Sequence, residues 1–573
     1  MPMTRDANTR ADPADTFVSH KFWWRDLLLI TALFIVLFGF ELGSRAIWSP
    51  DEGRYSEIPR EMLVSGDFIT PHLNGVKYFE KPPLFYWLQA GAIKSFGLNA
   101  WALRLTPTLF TLLTCLCVYA AGRRFYGRRT GLWSAAILGS SFLFYVLGRA
   151  IILDMAVTAL ISAALLAFMV GVQTAPGTQR RLYLWGFYIL MALATLAKGL
   201  IGILLPGMVI FVWMALYGEW RQLKTLYLPS GVTLFLLVAA PWHILVSQQN
   251  PEFPYFYFVQ QHFLRYLTMA EKRYQPNWFY IPILLLGLYP WSAFLPQAIR
   301  QALPSWSQRH AHKETVFLLL WTVLIFGFFS LSHSKLVPYI LPVFPPLAIL
   351  IGHYLATSEP SARGLRYGLG TLGFIGIASA GVVLALPLIL TPGRAQIQLQ
   401  QFPGDDVYLI AGILAGAGIA ALVALRLRNN GQRIALLTIT TAVFLVTFSH
   451  TMQRLDPKWS TKTIAEQLKP QLQDSDIVAT YNAYYQDLPV YLERRITIAG
   501  WTNELTFGMQ HQDTREWIID KPHLMATWNS PQRVYLFANL RDIDAFRAAA
   551  GNRYKVLAEN GFIILVTNQP ATP

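Results

Sequence analysis

The sequence carries little charge for its length. Only 14% of its 573 residues are Asp, Glu, Lys or Arg, and 54% are hydrophobic, whereas soluble chains contain about 25% charged residues. These numbers exclude a disordered or fibrous chain, and a soluble protein would have too few charged side chains to cover its surface. The composition therefore predicts a protein that crosses a membrane many times.

Cysteine is also scarce, and a phosphate-binding loop is missing. The two cysteines, Cys115 and Cys117, could form at most one disulfide bond, which is too few to stabilise a chain of this size. This excludes a disulfide-rich secreted protein. Both lie inside one apolar run, and we interpret them as apolar packing residues. The sequence contains no glycine-rich phosphate loop, so we expect no nucleotide binding.

Long apolar runs are abundant. A membrane-spanning helix needs about 20 mostly apolar residues, and thirteen segments meet this requirement. They are 25–45, 103–122, 130–147, 155–173, 181–197, 200–217, 225–245, 278–299, 314–331, 337–356, 364–388, 407–426 and 433–449. A further run, 82–97, is shorter and follows two prolines, so it is either a span or an interfacial segment.

The net charge of +15 can reflect nucleic acid, anionic lipid or membrane topology. Most basic residues lie in short loops between apolar segments, such as Arg123, Arg124, Arg128 and Arg129. If 82–97 lies at the interface, these loops all fall on the side of the N-terminus, and the positive-inside rule makes that side cytoplasmic. We therefore predict thirteen spans, a cytoplasmic N-terminus, an external C-terminus and no nucleic-acid partner.

The pattern predicts two domains, a transmembrane domain over 1–451 and a soluble α/β domain over 452–573. The transmembrane domain has two long external loops, 46–102 and 246–277. In the second domain the apolar runs are short, helices are expected at about 461–472 and 541–550, and Asn560-Gly561 indicates a β-hairpin.

The first external loop contains a predicted helix. Ser49 and Glu52 have the spacing of a capping box, and Pro50 suits the first helical position. Asp51 would then lie in the first turn, where the helix dipole favours its charged form. A capping role for the two acids explains this local pattern as well as a functional one does. The apolar face suggests a helix on the membrane surface; it consists of Tyr55, Ile58, Met62 and Leu63.

Further polar residues lie where the chain meets the membrane on the external side. Lys81 follows Glu80 and precedes two prolines, a rigid position from which it can bind a phosphate or snorkel to lipid headgroups. Asp154, Lys198 and Lys335 lie in short external turns. Asp154 can face a cavity or pair with a nearby arginine. The convergence of three lysines on one side suits an anionic headgroup.

The second external loop is rich in aromatic residues and is a candidate lid. His262 and Arg265 are three residues apart, so they share a face if the loop is helical. Arg265 is a candidate phosphate clamp. His262 fits three roles: a metal ligand, a phosphate donor or a polar interfacial residue.

Two motifs of the first loop carry a resemblance. Asp51-Glu52 with Arg54-Tyr55, and the run Tyr78 to Pro83, resemble the polyprenyl-phosphate-sugar-dependent membrane glycosyltransferases, which are related to the protein O-mannosyltransferases. Within them, nearly the whole chain resembles the lipid A 4-amino-4-deoxy-L-arabinose transferases. The resemblance implies a polytopic α-helical GT-C fold with about 13 transmembrane helices and a C-terminal soluble α/β domain.

The resemblance also implies roles for residues. Asp51 and Asp154 match catalytic positions, and Lys81 matches the ligand of the donor phosphate. The other implied phosphate-side residues are Arg265, Tyr339 and Lys198, to which the pattern of external cations adds Lys335. The implied cavity-lining residues are Arg54, Tyr55, Tyr78 and Glu80. Some relatives need a divalent cation, for which Glu80 and His262 are candidates, but no complete metal motif is present.

The implied reaction moves 4-amino-4-deoxy-L-arabinose from undecaprenyl phosphate to lipid A phosphate, at the bacterial inner membrane. The partners are the lipid-linked donor, lipid A and membrane lipids, the enzyme is a monomer, and a cofactor is not required. The added aminosugar lowers the negative surface charge and so gives resistance to polymyxin and other cationic peptides. An acceptor phosphate is already ionised, so Asp51 has an orienting role and not that of a base.

Three alternatives follow from the same residues. A related enzyme would use a protein or another glycan as acceptor, and its hydroxyl would need Asp51 as a general base. A transporter predicts charges at mid-membrane and two symmetric halves, which the sequence lacks. A structural scaffold leaves the cluster of external polar residues unexplained.

Overall fold

A computed structural model describes residues 22–267, 274–389, 404–551 and 553–569. The predicted loop 246–277 is therefore described except for 268–273, and most of the predicted cytoplasmic N-terminal segment lies outside the described residues. The described chain forms a helical bundle followed by an α/β domain. We call residues 456–569 the C-terminal domain.

The bundle consists of helices of very different lengths joined by short turns. In chain order they are α1 (Trp23–Gly39), α2 (Asp51–Ser65), α3 (Leu84–Phe96), α4 (Ala100–Tyr126), α5 (Arg128–Gly139), α6 (Phe142–Gly148), α7 (Asp154–Gln173), α8 (Thr178–Lys198), α9 (Ile201–Tyr217), α10 (Leu228–Gln249), α11 (Arg265–Leu267), α12 (Tyr280–Gly287), α13 (Leu295–Ala302), α14 (Lys313–Leu331), α15 (Phe344–Thr357), α16 (Arg363–Ile389), α17 (Gly404–Ala424) and α18 (Asn430–Met452). A short hairpin of β1 (His72–Leu73) and β2 (Val76–Lys77) follows α2. A π-helix, Tyr255–Leu264, precedes α11.

The predicted number of spans is not confirmed. A helix stands in each of the thirteen predicted segments. By length and composition, however, eight helices among the described residues can cross a membrane, or ten if each bent pair is one span. The bent pairs are α5 with α6, at 65°, and the helices on either side of residues 288–290, at 105°. The shortfall arises because α1 and α9 have only 17 residues each and α8 begins with two arginines.

The short helix α3 does not cross the bundle. Its 13 residues extend about 20 Å, less than the hydrocarbon thickness of about 30 Å. Asp26, in the first turn of α1, pairs with Arg123 at the end of α4 (3.0 Å) and with Arg128 (2.6 Å). The start of α1 and the end of α4 thus lie at one end of the bundle, and α3 connects two helices at the other end. This agrees with the predicted interfacial position of 82–97.

Helix α2 is buried, and this corrects the prediction that it lies on the membrane surface. Ten of its 15 residues are buried, because the helix is packed between the bundle and the C-terminal domain. Gly53 makes this packing close: a Cβ there would overlap the backbone of Gln486 and Asp487. The side chain of Asp487 accepts hydrogen bonds from Ser49 (2.5 Å) and Ser460 (2.8 Å).

The C-terminal domain is built on a six-stranded sheet in the order β5-β4-β3-β6-β8-β7. The first four strands in this order are parallel, and β8 and β7 are antiparallel. The strands are β3 (Ile477–Tyr481), β4 (Thr497–Ala499), β5 (Ile518–Ile519), β6 (Val534–Asn539), β7 (Lys555–Glu559) and β8 (Ile563–Thr567). The helices are α19 (Asp456–Trp459), α20 (Lys462–Leu468), α21 (Leu488–Leu492), α22 (Thr506–Gln510), α23 (Lys521–Trp528) and α24 (Ile543–Ala550).

The predicted α/β character of this domain is confirmed. β6 and β8 are almost entirely buried, as expected for strands whose sequences read as continuous apolar runs. The predicted hairpin is present, and Gly561 supplies the required positive φ of +83° between β7 and β8. α20 and α24 stand where the two helices were expected.

Candidate functional site

Two neighbouring cavities are lined in part by the predicted first external loop. Residues 80 and 81 of the loop line one cavity, and residues 48–52 line the other. The larger has a volume of about 940 Å³ and the smaller about 460 Å³. Tyr339 lines the larger cavity and its neighbour Pro338 lines the smaller, so a thin wall separates them. We call them the larger cavity and the smaller cavity.

The larger cavity is a long apolar space with a polar end. Its apolar side follows α9 from Ile201 to Phe211, about 15 Å along the helix axis. Leu204 and Phe211, which lie on this side, are exposed, so the cavity opens toward the position of lipid. The charged side chains at its other end are Glu80, Lys81, Lys198 and Arg265. This shape fits a ligand with a long hydrocarbon chain and an anionic head.

Lys81 lies at the polar end and is only 13% exposed. Its ammonium donates a hydrogen bond to the backbone oxygen of Glu80 (2.8 Å), and the Glu80 carboxylate lies 4.0 Å from it. Arg265 is 3.6 Å from the same carboxylate. Burial lowers the pKa of Lys81 to about 7, and the nearby Arg265 acts in the same direction. The site thus holds an ammonium that an incoming anion would stabilise.

Lys198 forms an ion pair with Asp154. Its ammonium lies 4.5 Å from the ring centre of Tyr339, whose hydroxyl is 3.5 Å from Arg265. The predicted alternative, a pair between Asp154 and an arginine, is wrong, because Arg149 instead bonds Tyr145, Phe40 and Ser449. The structure thus brings five predicted residues together at the polar end of the larger cavity. They are Lys81, Asp154, Lys198, Arg265 and Tyr339.

Lys335 is not part of this group, although it was predicted to be. It is 3% exposed, and its ammonium donates to the backbone oxygens of Ser332 (2.5 Å) and Gln275 (2.8 Å). The cation therefore holds a turn together, and Lys335 is not among the described residues that line the larger cavity.

His262 is fixed by the backbone, and this does not fit the predicted metal role. Its Nδ1 donates to the Tyr257 oxygen (2.6 Å), and its Nε2 accepts from the Leu200 amide (3.0 Å). Burial lowers the pKa of His262 to about 4, so the ring is neutral. The described residues contain no group of three or more His, Cys, Asp or Glu that could hold a metal ion. The glycine at 199 is needed here, because a Cβ would overlap the imidazole.

The smaller cavity has Asp51 at its edge. The Asp51 side chain is 59% exposed and lies 3.1 Å from Arg54. Arg45, Arg104 and Arg149 also line this cavity. An exposed carboxylate among arginines is a suitable site for a polar, phosphorylated ligand.

Glu52 has a different role from its neighbour, and the predicted capping box is wrong. The helix begins after Pro50 without a side-chain cap. The buried Glu52 carboxylate pairs with Arg45 (2.6 Å) and Arg104 (2.9 Å) and accepts from the amides of Trp48 and Ile151. Burial alone would raise the pKa of Glu52, but the two arginines lower it to about 2. Glu52 is therefore a charged structural link between loop and bundle.

Four functional candidates were missed from the sequence. One is Arg149, which the sequence suggested only as a partner of Asp154. Arg104 lies inside a predicted span, where an ionisable residue is by itself a signal. Arg45 is the last residue of the predicted span 25–45 and carries no recognisable motif. Glu504 of the C-terminal domain pairs with Arg54, a contact that joins positions 450 residues apart and that sequence spacing cannot reveal.

Tyr55 of α2 is not among the described residues that line either cavity. It is buried, with its ring against Phe85 and Tyr86. Burial raises the pKa of its hydroxyl, and so do the carboxylates of Asp51, Asp154 and Glu80. Tyr78 is buried beside Arg54 as well. Carboxylates of three different elements therefore act electrostatically on the same hydroxyl.

Family models match both parts of the chain. The model of dolichyl-phosphate-mannose-protein mannosyltransferase matches residues 23–257. The model of the aminoarabinose transferase C-terminal domain matches residues 464–568.

Similar proteins extend over most of the chain. The undecaprenyl phosphate-alpha-4-amino-4-deoxy-L-arabinose arabinosyl transferase of Pectobacterium carotovorum is 31% identical over 513 residues, 86% of this chain and 88% of the relative. That of Pectobacterium atrosepticum is 32% identical over 511 residues with the same coverage. The crystal structure of ArnT from Cupriavidus metallidurans bound to undecaprenyl phosphate has a TM-score of 0.83 and 29% identity, over 96% of this chain and 99% of that chain.

The fold and the site together define a multi-pass membrane glycosyltransferase of the GT-C type. Within that class, the chain belongs to the family of undecaprenyl phosphate-alpha-4-amino-4-deoxy-L-arabinose arabinosyl transferases. The resemblance inferred from the first-loop motifs is thereby confirmed, as is the prediction of a glycosyltransferase that uses a polyprenyl-phosphate-linked sugar.

Proposed function

We propose that this chain transfers 4-amino-4-deoxy-L-arabinose from undecaprenyl phosphate to a phosphate of lipid A. The observation that carries the proposal is the pair of cavities, one apolar with a cationic end and one polar, that meet at a single wall. The enzyme acts as a monomer in the bacterial inner membrane, with its N-terminus cytoplasmic and the site and C-terminal domain periplasmic.

The larger cavity is the proposed donor site. The polyprenyl chain follows the apolar side along α9 toward the bilayer, and the donor phosphate lies between Lys81 and Arg265. Family membership supports this assignment, as does the similarity to a structure described as bound to undecaprenyl phosphate. Two cations of different geometry can together contact several oxygens of one phosphate.

The charges of the reaction balance without a proton transfer. An oxygen of the acceptor phosphate forms a bond to the anomeric carbon, and the bond from that carbon to the undecaprenyl phosphate oxygen breaks. The leaving phosphate keeps the electron pair and becomes a dianion, while the acceptor changes from dianion to monoanion. Lys81 and Arg265 stabilise the charge that develops on the leaving phosphate, which lowers the barrier.

The smaller cavity is the proposed acceptor site. Arg45 and Arg149 supply positive charge for the lipid A phosphate, and Asp51 lines the same cavity. Because the attacking phosphate is already ionised, we assign Asp51 an orienting role toward the acceptor or the sugar amine. Asp154 is proposed to act on the donor side of the wall, by fixing the ammonium of Lys198 beside Tyr339.

The biological outcome is a less anionic cell surface. Each added aminosugar places a cation beside a lipid A phosphate. This weakens the attraction of a cationic peptide to the surface, which is worth about 1 kcal/mol for each basic residue of the peptide. Resistance to polymyxin follows from this change.

Mass spectrometry of lipid A tests the proposal directly. Cells that lack the gene are complemented with the wild-type chain or with Lys81→Ala, and we expect aminoarabinose on lipid A with the wild type only. Unchanged aminoarabinose content after deletion of the gene would overturn the assignment. Loss of a modified protein or glycan, with lipid A unchanged, would support the alternative acceptor.

A further inference from the structure

We propose that residues 503–510 of the C-terminal domain are a positioning element of the active site that controls the two cavities through two different side chains. We call this stretch the bridging segment. Glu504 acts on the side of the smaller cavity and Phe507 on the side of the larger one. The inference rests on the proposed function, since it assigns the donor and the acceptor to these cavities.

The bridging segment is fixed to the first external loop. Gly508 packs so closely on β2 that a Cβ would overlap the backbone oxygen of Lys77. Just after the segment, the Gln512 side chain donates to the oxygen of Gly75 (2.6 Å) and accepts from the amide of Lys77 (3.1 Å). These contacts hold the segment at a defined place over the loop that carries Asp51 and Lys81.

Glu504 holds Arg54 on the side away from Asp51. The guanidinium of Arg54 is shared between Glu504 and Asp51, and the side chains of Arg54 and Glu504 are only 10% and 13% exposed. Gln486 donates to the other Glu504 oxygen (2.8 Å) and fixes its orientation. Without this second carboxylate, Arg54 would be free to bind Asp51 with both of its terminal nitrogens. Asp51 would then be drawn away from the smaller cavity.

Phe507 packs on the π-helix Tyr255–Leu264. We call this helix the cover of the larger cavity, because its last residues line the cavity. The Phe507 ring stacks on Phe256, with the ring centres 3.8 Å apart and an angle of 19° between the planes. Phe256 belongs to the π-helix that carries His262, and Arg265 follows directly at the start of α11. The stack therefore ties the C-terminal domain to the residues that face the proposed donor phosphate.

The two contacts predict two separate kinetic defects. Glu504 is not among the described residues that line the larger cavity. Loss of its charge misplaces Asp51 and removes no side chain from that lining, so it should lower kcat with little change in the KM for the donor. Loss of the Phe507 ring loosens the cover of the larger cavity, so it should raise the donor KM. A merely structural role of the segment predicts the same defect for both variants.

The test uses the full-length chain in lipid nanodiscs, with the undecaprenyl-phosphate-linked sugar as donor and lipid A as acceptor. For Glu504→Gln we expect kcat to fall about tenfold, the loss typical of a charged hydrogen bond. For Phe507→Ala we expect the donor KM to rise about fivefold, as for loss of an aromatic stack. Phe507→Tyr, which keeps the ring, should restore the wild-type KM. Glu516→Gln removes an exposed carboxylate just beyond the bridging segment (81% exposed); it is the matched control and should change neither constant.

The outcomes separate this inference from the proposed function. If the wild type transfers no sugar to lipid A, the proposed function fails. If the wild type is active and the two variants show the same defect, or none, the bridging segment has no positioning role. Glu504→Asp and Phe507→Leu serve as milder variants if the first pair does not fold, and equal kinetic profiles for this second pair would overturn the inference as well.

Discussion

The two cavities differ in their balance of charge. Among the described residues that line the larger cavity, three are cations and one is an acid, Glu80. The described lining of the smaller cavity contains three arginines and three acids, and two of those arginines are already paired with Glu52. The surplus of positive charge therefore lies where the proposed reaction creates negative charge, and the balanced cavity lies where negative charge is lost.

This difference indicates how one site can favour transfer without a base. In the proposed reaction the leaving phosphate gains a charge next to Lys81 and Arg265, and that gain would be stabilised more strongly in the transition state than in the bound donor. The acceptor phosphate needs less stabilisation, because it carries less charge after the reaction than before. In this proposal the larger cavity stabilises the developing charge, and the smaller cavity orients the acceptor.

The largest effect is expected from removing the charge of Glu52, which pairs with two arginines that line the smaller cavity. Glu52→Gln leaves two buried arginines without a full counter-charge, and breaking such a buried pair costs about 3–5 kcal/mol. We expect poor expression and early unfolding, measured by fluorescence-detected size exclusion after heating. The neighbouring Asp51→Asn is the matched control, since its side chain is 59% exposed and should leave stability unchanged. Equal stability of the two variants would contradict the structural role that we assign to the buried Glu52 carboxylate.

The next largest effect concerns the larger cavity. Lys81→Ala removes the cation beside the leaving phosphate, and we expect transfer to fall by about 10²–10³-fold, as for loss of one charge-stabilising donor. The rate of sugar transfer to lipid A by the purified protein is the measurement. Lys94→Ala on α3, whose side chain is exposed, is the control and should retain full activity. A loss below about threefold for Lys81→Ala would remove it from the phosphate site.

A smaller effect is expected from pH. Burial lowers the pKa of Lys81 to about 7, and a bound phosphate favours the charged ammonium. Donor affinity should therefore be at its maximum below about pH 7, where Lys81 is already charged. Above that pH it should fall by up to about tenfold per pH unit.

Donor binding without acceptor, measured by calorimetry, avoids titration of the lipid A phosphate. Lys81→Arg should bind with the same affinity across the range, because arginine stays protonated. A wild-type affinity that does not change between about pH 6 and about pH 9 would show that this ammonium does not contact the donor.

The smallest effect is expected from metal removal. Both ring nitrogens of His262 are engaged by the backbone, so this ring is not available to bind a cation together with Glu80. Transfer should be unchanged after treatment with a chelator and after addition of Zn²⁺ or Mg²⁺. Inactivation by the chelator, with recovery on addition of one metal, would contradict this account of His262.

The sequence predicted the elements of this molecule better than their arrangement. The apolar segments located the helices, and Asn560-Gly561 located the hairpin, because both depend on local patterns. The positions of Lys81, Asp154 and Lys198 were also inferred as one external group, since topology places all three at one end of the bundle.

The remaining features depend on contacts distant in sequence. The amphipathic pattern of α2 predicted a helix on the membrane surface, but the C-terminal domain covers its other face through Gly53 and Asp487. Lys335 resembled the other external lysines, and only its two backbone carbonyl partners show that it stabilises a turn. The difference between Asp51 and Glu52 likewise arises from Arg104, about 50 residues further along the chain.

In the proposed reaction, sugar passes from a polyprenyl phosphate in the larger cavity to a lipid A phosphate at the smaller one. The test follows both products of the purified chain in nanodiscs by mass spectrometry, starting from the undecaprenyl-phosphate-linked aminosugar and lipid A. We expect one undecaprenyl phosphate to be released for every aminoarabinose that appears on lipid A. Release of undecaprenyl phosphate while lipid A stays unmodified would contradict it.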